Sequence, residues 1–228
     1  MKTVAFVLYP GITPLDLVGP LQVMSVLAFF DPSYEVVVAA ETLQPLQTDT
    51  PLRLAPSHTF DQLDRPYAVI VPGGNGPTFA AMADDGLLER IRAAAATAEV
   101  VGSVCTGSLL LAAAGLLQGR RATSHWAALH LLAKLGAVPV GERVVHDGPY
   151  VTAAGVAAGI DMALHLVGRL AGEETARQVQ LMIEYDPQPP HGPIDWAAVD
   201  RAAYAPLITD TLSAALSDHP RLLERLTR

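Results

Sequence analysis

"EVVGSVCTGSLLLAAAGLLQG", residues 99–119, passes without a break from an apolar, β-branched run into an Ala/Leu-rich segment of helical character. At the join stands Cys105, the only cysteine of the chain, followed by Thr106, Gly107 and Ser108. An apolar strand that turns directly into a helix is the building unit of a parallel sheet covered on both faces. Such a turn also lifts its own residue to the edge of the sheet, as the nucleophile elbow does, although the GxSxG motif itself is absent.

The same unit recurs on either side. "TVAFVLY" (3–9), "YEVVVAA" (34–40) and "YAVIVPGG" (67–74) read as strands, the first stopped by "PGITP" and the third by Pro-Gly-Gly. Helical spacing follows in "LDLVGPLQVMSVLAFF", where Pro20 is expected at the first turn of the main helix. A further helix is expected in "DDGLLERIRAAAATA". "LQTDTPLRLAP" reads as short extended pieces, and "ERVVHDGPYVTAA" as a hairpin turning at Asp147-Gly148. Two consecutive helices, "GIDMALHLVGRLAG" and "EETARQVQLMIEY", precede the proline-rich break "DPQPPHGP". A last helical region begins near Ile194. The pattern predicts a three-layer α/β sandwich with a flavodoxin-like, mostly parallel sheet. Residues 1–190 form its body, and 191–228 a C-terminal helical extension of the same domain.

Composition narrows the function. Half of the 228 residues are hydrophobic and 17% are charged, so the chain can bury a sizeable core. A net charge of −8 with no dense Lys/Arg run gives no footprint for nucleic acid or for an anionic membrane. A lone cysteine leaves no intramolecular disulfide and no multi-cysteine zinc site, which suits a reducing, cytoplasmic setting. The seven histidines lack metal spacing and HExxH is absent, so no metal is expected. The apolar start is broken early by Pro10, Gly11 and Asp16, and reads as a strand rather than a signal peptide.

Ligands of an open parallel sheet bind beyond the carboxyl ends of its strands. Three unusual local sequences fall at such ends: Asp16 after the first strand, Gly73-Gly74 after "VIVP", and Cys105 after "VVGSV". The fold brings them to one rim. A free cysteine is usually a packed small hydrophobe. At a turn whose next helix aims free N–H groups at it, the thiolate is expected to be favoured and the pKa lowered. Asp16, among apolar neighbours, is either a helix cap or a proton carrier whose pKa burial has raised. Backbone N–H groups of Gly74 and Thr106 are candidate anion donors, against the reading of Gly-Gly as a simple tight turn. Asn75 and Thr152 are candidate pocket residues. So are His125 and Trp126 of "ATSHWAALH", for which a satisfied buried histidine and a core tryptophan are the favoured competing readings.

Together, "SVCTGSLLLAAAGLLQGRRATSHWA", "PLDLVGP", "VPGGNG" and "AAGIDMALHL" resemble the ThiJ/PfpI superfamily, and within it the isonitrile (isocyanide) hydratase branch. The likeness runs from residue 3 to about residue 190. It implies a class I glutamine amidotransferase-like fold, a cysteine nucleophile at Cys105 assisted by Asp16, no cofactor, and a homodimer. The substrates implied are a small-molecule isocyanide and water, joined through a cysteine thioimidate to give the N-substituted formamide. Two departures stand out. Protease-like members carry His where this chain has Thr106, and "TAAG" (152–155) replaces the "TGGG" of hydratase relatives. Related regulators continue into a helix-turn-helix region, for which about 35 residues after the proline-rich break are too few. Cofactor-independent glyoxalase-type chemistry and a cysteine redox sensor are the competing functions.

Overall fold

The computed structural model of the protein describes residues 1–228. One seven-stranded sheet organises the chain: β1 (Lys2–Val7), β2 (Tyr34–Ala40), β3 (His58–Thr59), β4 (Ala68–Val71), β5 (Val100–Val104), β6 (Val144–Asp147) and β7 (Tyr150–Ala153). Their spatial order is β6-β7-β5-β4-β1-β2-β3. All neighbours pair in parallel except the β6–β7 hairpin, as predicted; its turn residues are Gly148 and Pro149, one place later than expected, because Asp147 still pairs with Tyr150 as a strand residue. Strands β4 and β5 are buried along their whole length, which is why they read as unbroken apolar runs rather than alternating ones.

Nine helices cover the sheet: α1 (Pro14–Phe30), α2 (Gly76–Ala81), α3 (Asp85–Ala95), α4 (Gly107–Ala113), α5 (Leu131–Lys134), α6 (Ala158–Ala171), α7 (Glu173–Met182), α8 (Arg201–Ala215) and α9 (Pro220–Thr227). Helices α1, α6 and α7 pack on one another, while α4 gathers α2, α3 and α5. The architecture is a flavodoxin-like sheet between helices, as the sequence predicts. C-terminal α8 packs on α2 and α9 on α5, burying Leu212, Leu216 and Leu226. The segment "LQTDTPLRLAP" does form short extended pieces, Leu46–Gln47 pairing antiparallel with Arg53–Leu54.

One boundary differs from expectation. Helix α1 starts at Pro14, with Thr13 as its N-cap, and Pro20 lies inside it. Pro20 has no N–H to return to the Asp16 carbonyl four residues earlier. Tertiary packing outweighs that loss: Pro20 is buried, with its ring against α6 at Gly159. The consequence matters for the site, because the early start places Asp16 in the first turn of the helix.

Candidate active site

Three loops converge at the carboxyl edge of the sheet. Ile12 forms an isolated antiparallel bridge with Gly74, and the Thr13 N–H donates to the Gly73 carbonyl at 2.9 Å. The Gly74 N–H donates to Thr106 Oγ1 at 2.9 Å, and that hydroxyl donates back to the Gly74 carbonyl at 2.6 Å. Gly73 is required by this closeness: a Cβ there would stand 2.5 Å from the Thr106 nitrogen. Asp16, Gly73, Gly74, Cys105 and Thr106 are thus brought together, as their positions after successive strands predict.

Cys105 occupies the turn between β5 and α4 with φ of +59°. For a residue with a Cβ this left-handed conformation costs about 1–2 kcal/mol. Neighbours hold it in place: the Cys105 N–H donates to the Ala153 and Ala154 carbonyls, and its own carbonyl accepts from the Ser108 and Ser124 hydroxyls. The strained turn presents the thiol toward Asp16, so the elbow geometry read from "SVCTGS" is present.

The electrostatics depart from the sequence expectation. Burial pushes the Cys105 thiol up to about 12, and the Asp16 charge adds to the rise. Backbone N–H groups of Thr106 and Val156 act against it without reversing it. Helix α4 is only seven residues long and Cys105 is 5% exposed, so lost hydration outweighs the helix end. Cys105 rests as a neutral thiol. Asp16, fully buried, is raised to about 7, first by desolvation, while hydrogen bonds from Cys105 and from the Gly73 N–H partly offset the rise. Asp16 Oδ1 has no fixed partner, whereas Oδ2 accepts from Gly73 at 3.2 Å. The charge of Asp49 pushes Asp16 further up. That residue is held over the rim by the Thr13 hydroxyl and the Asn75 amide.

Several candidate residues sit differently from their sequence reading. The Gly74 N–H is taken by Thr106 Oγ1, so the backbone donors that reach the sulfur belong to Thr106 and Val156. Asn75 is exposed and bonds to Asp49 rather than lining a pocket. Thr152 is buried in the sheet, its hydroxyl accepting from the Thr123 N–H at 2.8 Å. His125 and Trp126 are half-buried and line a cavity of about 420 Å³, against the competing readings of buried histidine and core tryptophan. Burial lowers the His125 pKa, which keeps the ring neutral near pH 7.

Val156 was missed by sequence reasoning. It follows β7, the sheet neighbour of β5, and so lies on the same carboxyl edge as the other loops. Its positive φ of +29° gave no sequence signal, because positions of this kind are usually glycine. Val156, whose N–H faces the Cys105 sulfur, and Ser124, whose hydroxyl donates to the Cys105 carbonyl, both line the 420 Å³ cavity, so the cavity adjoins Cys105. Ile194 and Trp196, from the segment before α8, also line the cavity. A larger recess of about 620 Å³ lies between α2, α3 and the end of β2, lined by Tyr9, Phe60 and Arg90 among others. None of the residues around the thiol lines it.

A family model described as the DJ-1/PfpI family matches residues 2–169. The chain belongs to the DJ-1/PfpI family. It is 47% identical over 187 residues to isonitrile hydratase from Pseudomonas putida, covering 82% of this chain and 80% of that protein. A crystal structure of a ThiJ/PfpI family protein from Pseudomonas syringae superimposes with a TM-score of 0.84 at 37% identity, over 95% of this chain and 89% of that one. Drosophila melanogaster DJ-1beta shares the fold, with a TM-score of 0.71 at 22% identity, over 82% of this chain and 99% of its own. Family membership thus rests on sequence as well as on fold. The matched stretch contains every residue placed around Cys105, whereas Ile194 and Trp196 fall beyond it.

Proposed function

We propose that this protein hydrates an isocyanide, R–N≡C plus water giving R–NH–CHO, with Cys105 as nucleophile and Asp16 as proton carrier. The likeness to the Pseudomonas putida hydratase over most of both chains carries the choice of substrate. What supports the chemistry is the pairing of a neutral thiol with a carboxyl group poised near 7.

In the first step the Asp16 carboxylate takes the thiol proton and delivers it to the terminal isocyanide carbon as Sγ bonds to that carbon. The product is a thioimidate, Cys105–S–CH=N–R. Negative charge gathering on sulfur is met by the N–H groups of Thr106 and Val156. Asp16, a carboxylate again, then removes a proton from water as the oxygen adds to the thioimidate carbon, and passes that proton to the nitrogen. The adduct collapses: the C–S bond breaks, the hydroxyl proton returns to sulfur, and formamide leaves. Dividing one difficult addition between two smaller barriers is the gain from covalent catalysis.

A homodimer belongs to the same reading. It is supported by Leu15 and Phe29 of α1 and Leu181 and Met182 of α7, which stay exposed on two helices that pack together. Light scattering of the purified protein tests it.

Formamide release from a simple alkyl isocyanide is the decisive assay. Wild type turns over, while Cys105→Ala and Asp16→Asn each lose about a thousandfold or more. Near-wild-type turnover by Cys105→Ala would sink the covalent scheme. A folded wild type with no turnover on several isocyanides would sink the reading itself.

A further inference from the structure

Both tryptophans of the chain, Trp126 and Trp196, line the cavity beside Cys105. Their ring centroids are 6.3 Å apart at an interplanar angle of 50°, and Tyr204 meets Trp126 edge-on at 5.0 Å. Leu129 and Ile194 extend the apolar wall. A space of about 420 Å³ walled in this way suits a flat apolar body.

The charges around that body are uneven. Glu142, Arg143 and Arg201 all line the cavity. Glu142 is engaged by Arg121 at 3.2 Å, and Arg143 donates through Nε to Asp161 at 2.7 Å. Arg201 has no carboxylate partner; its one hydrogen bond runs from Nη1 to the Trp126 carbonyl at 3.3 Å. The cavity therefore holds one uncompensated cation beside its aromatic wall, in a chain of net charge −8. Four of the five guanidinium N–H donors of this exposed arginine have no partner within the protein, and their planar fork matches a carboxylate.

We infer that the cavity selects an isocyanide whose apolar body also bears a carboxylate: Arg201 binds the carboxylate, Trp126 and Trp196 hold the body, and the isocyanide end passes Val156 to reach Cys105. This inference rests on the isocyanide reading of the site. The selecting residues Trp196 and Arg201 stand outside the stretch matched by the family, 2–169. The preference is thus a property of the segment leading into α8 and of that helix's first residue, rather than of the family body.

Two experiments separate this inference from the reading beneath it. In the first, wild type, Arg201→Gln and Arg201→Lys are assayed for formamide release from potassium 2-isocyano-3-phenylpropanoate and from its methyl ester. Wild type prefers the acid by about tenfold in kcat/KM, mainly through KM; Arg201→Gln loses the preference and Arg201→Lys recovers part of it. Equal use of acid and ester by wild type, or a preference that survives in Arg201→Gln, overturns the inference. The second experiment needs no turnover, because both tryptophans report on the cavity. Their fluorescence is titrated with phenylacetate and with phenylacetamide. About tenfold tighter binding of phenylacetate, lost in Arg201→Gln, upholds the carboxylate site even if no isocyanide is hydrated. Equal binding of the two, or no binding of either, overturns it.

Discussion

Asp16 and Cys105 meet side chain to side chain beyond the ends of β1 and β5, Asp16 fully buried and Cys105 5% exposed. Burial acts on both in the same direction, holding each proton more tightly than water would. Because the two values stay well apart, Asp16 gives up its proton through neutral pH, with its midpoint at about 7, while Cys105 keeps its own. That arrangement puts the base next to the proton it must move.

The rate should follow the Asp16 titration. Only the carboxylate can take the thiol proton, so kcat/KM rises with pH and levels off above about 7. Asp16→Asn removes this limb along with most of the activity. A profile measured between pH 5 and 9 checks the point, and a wild-type limb near the ordinary carboxylate value of about 4 would contradict the desolvated site.

Stability should run the opposite way. The folded chain holds the Asp16 proton up to about 7, whereas an unfolded chain releases it near 3.8. Between those values the native state binds the extra proton, so stability falls as pH rises. The contribution is fully present below 3.8 and gone above 7. Asp16→Asn abolishes this slope and is more stable than wild type at pH 8, by on the order of a few kcal/mol. Urea midpoints of both proteins at pH 4.5 and pH 8 give the comparison, and parallel behaviour of the two would refute it.

A thiol pushed up to about 12 should resist alkylation. Iodoacetamide modification of Cys105, followed by intact mass, is slow at pH 7.5 and quickens about tenfold per pH unit up to pH 10. Asp16→Asn reacts faster at each pH, because the carboxylate charge no longer opposes the thiolate. Rapid wild-type labelling at pH 7.5 would instead favour the thiol-sensing function, which needs an exposed, low-pKa cysteine.

The main strands and the meeting of Asp16, Gly73, Gly74 and Cys105 were legible because both follow from local rules. Apolar runs ending in turns mark the strands, and parallel strands deliver their carboxyl ends to one edge. What escaped depended on tertiary balance. Pro14 and Pro20 both look like helix-start residues, and only packing against Gly159 shows that the helix runs through the second. The helix end beside Cys105 promised a thiolate, yet the depth of the sulfur decides the titration. Gly74 looked like a free donor because nothing in the sequence says that the Thr106 hydroxyl takes its N–H. Trp126 read as core because the segment that leaves it on a cavity, around Trp196, lies some seventy residues away.

That Thr106–Gly74 clasp offers the sharpest separation of architecture from chemistry. The Thr106 hydroxyl satisfies both the N–H and the carbonyl of a buried glycine, while the Thr106 N–H faces the Cys105 sulfur. Thr106→Val keeps the shape and the backbone donor but strands two buried polar groups. At about 1–3 kcal/mol for each unpaired group, a loss of about 2–6 kcal/mol is expected. Thr106→Ser keeps the hydroxyl and recovers most of that loss. Turnover, measured well below the unfolding midpoint, drops further in Thr106→Val than unfolding accounts for, because the loosened loop moves the Gly73 N–H off Asp16 and shifts the pH limb. Urea titrations of both variants alongside their pH–rate profiles test the two effects separately. An unshifted limb with a full stability loss would reduce the clasp to a structural brace.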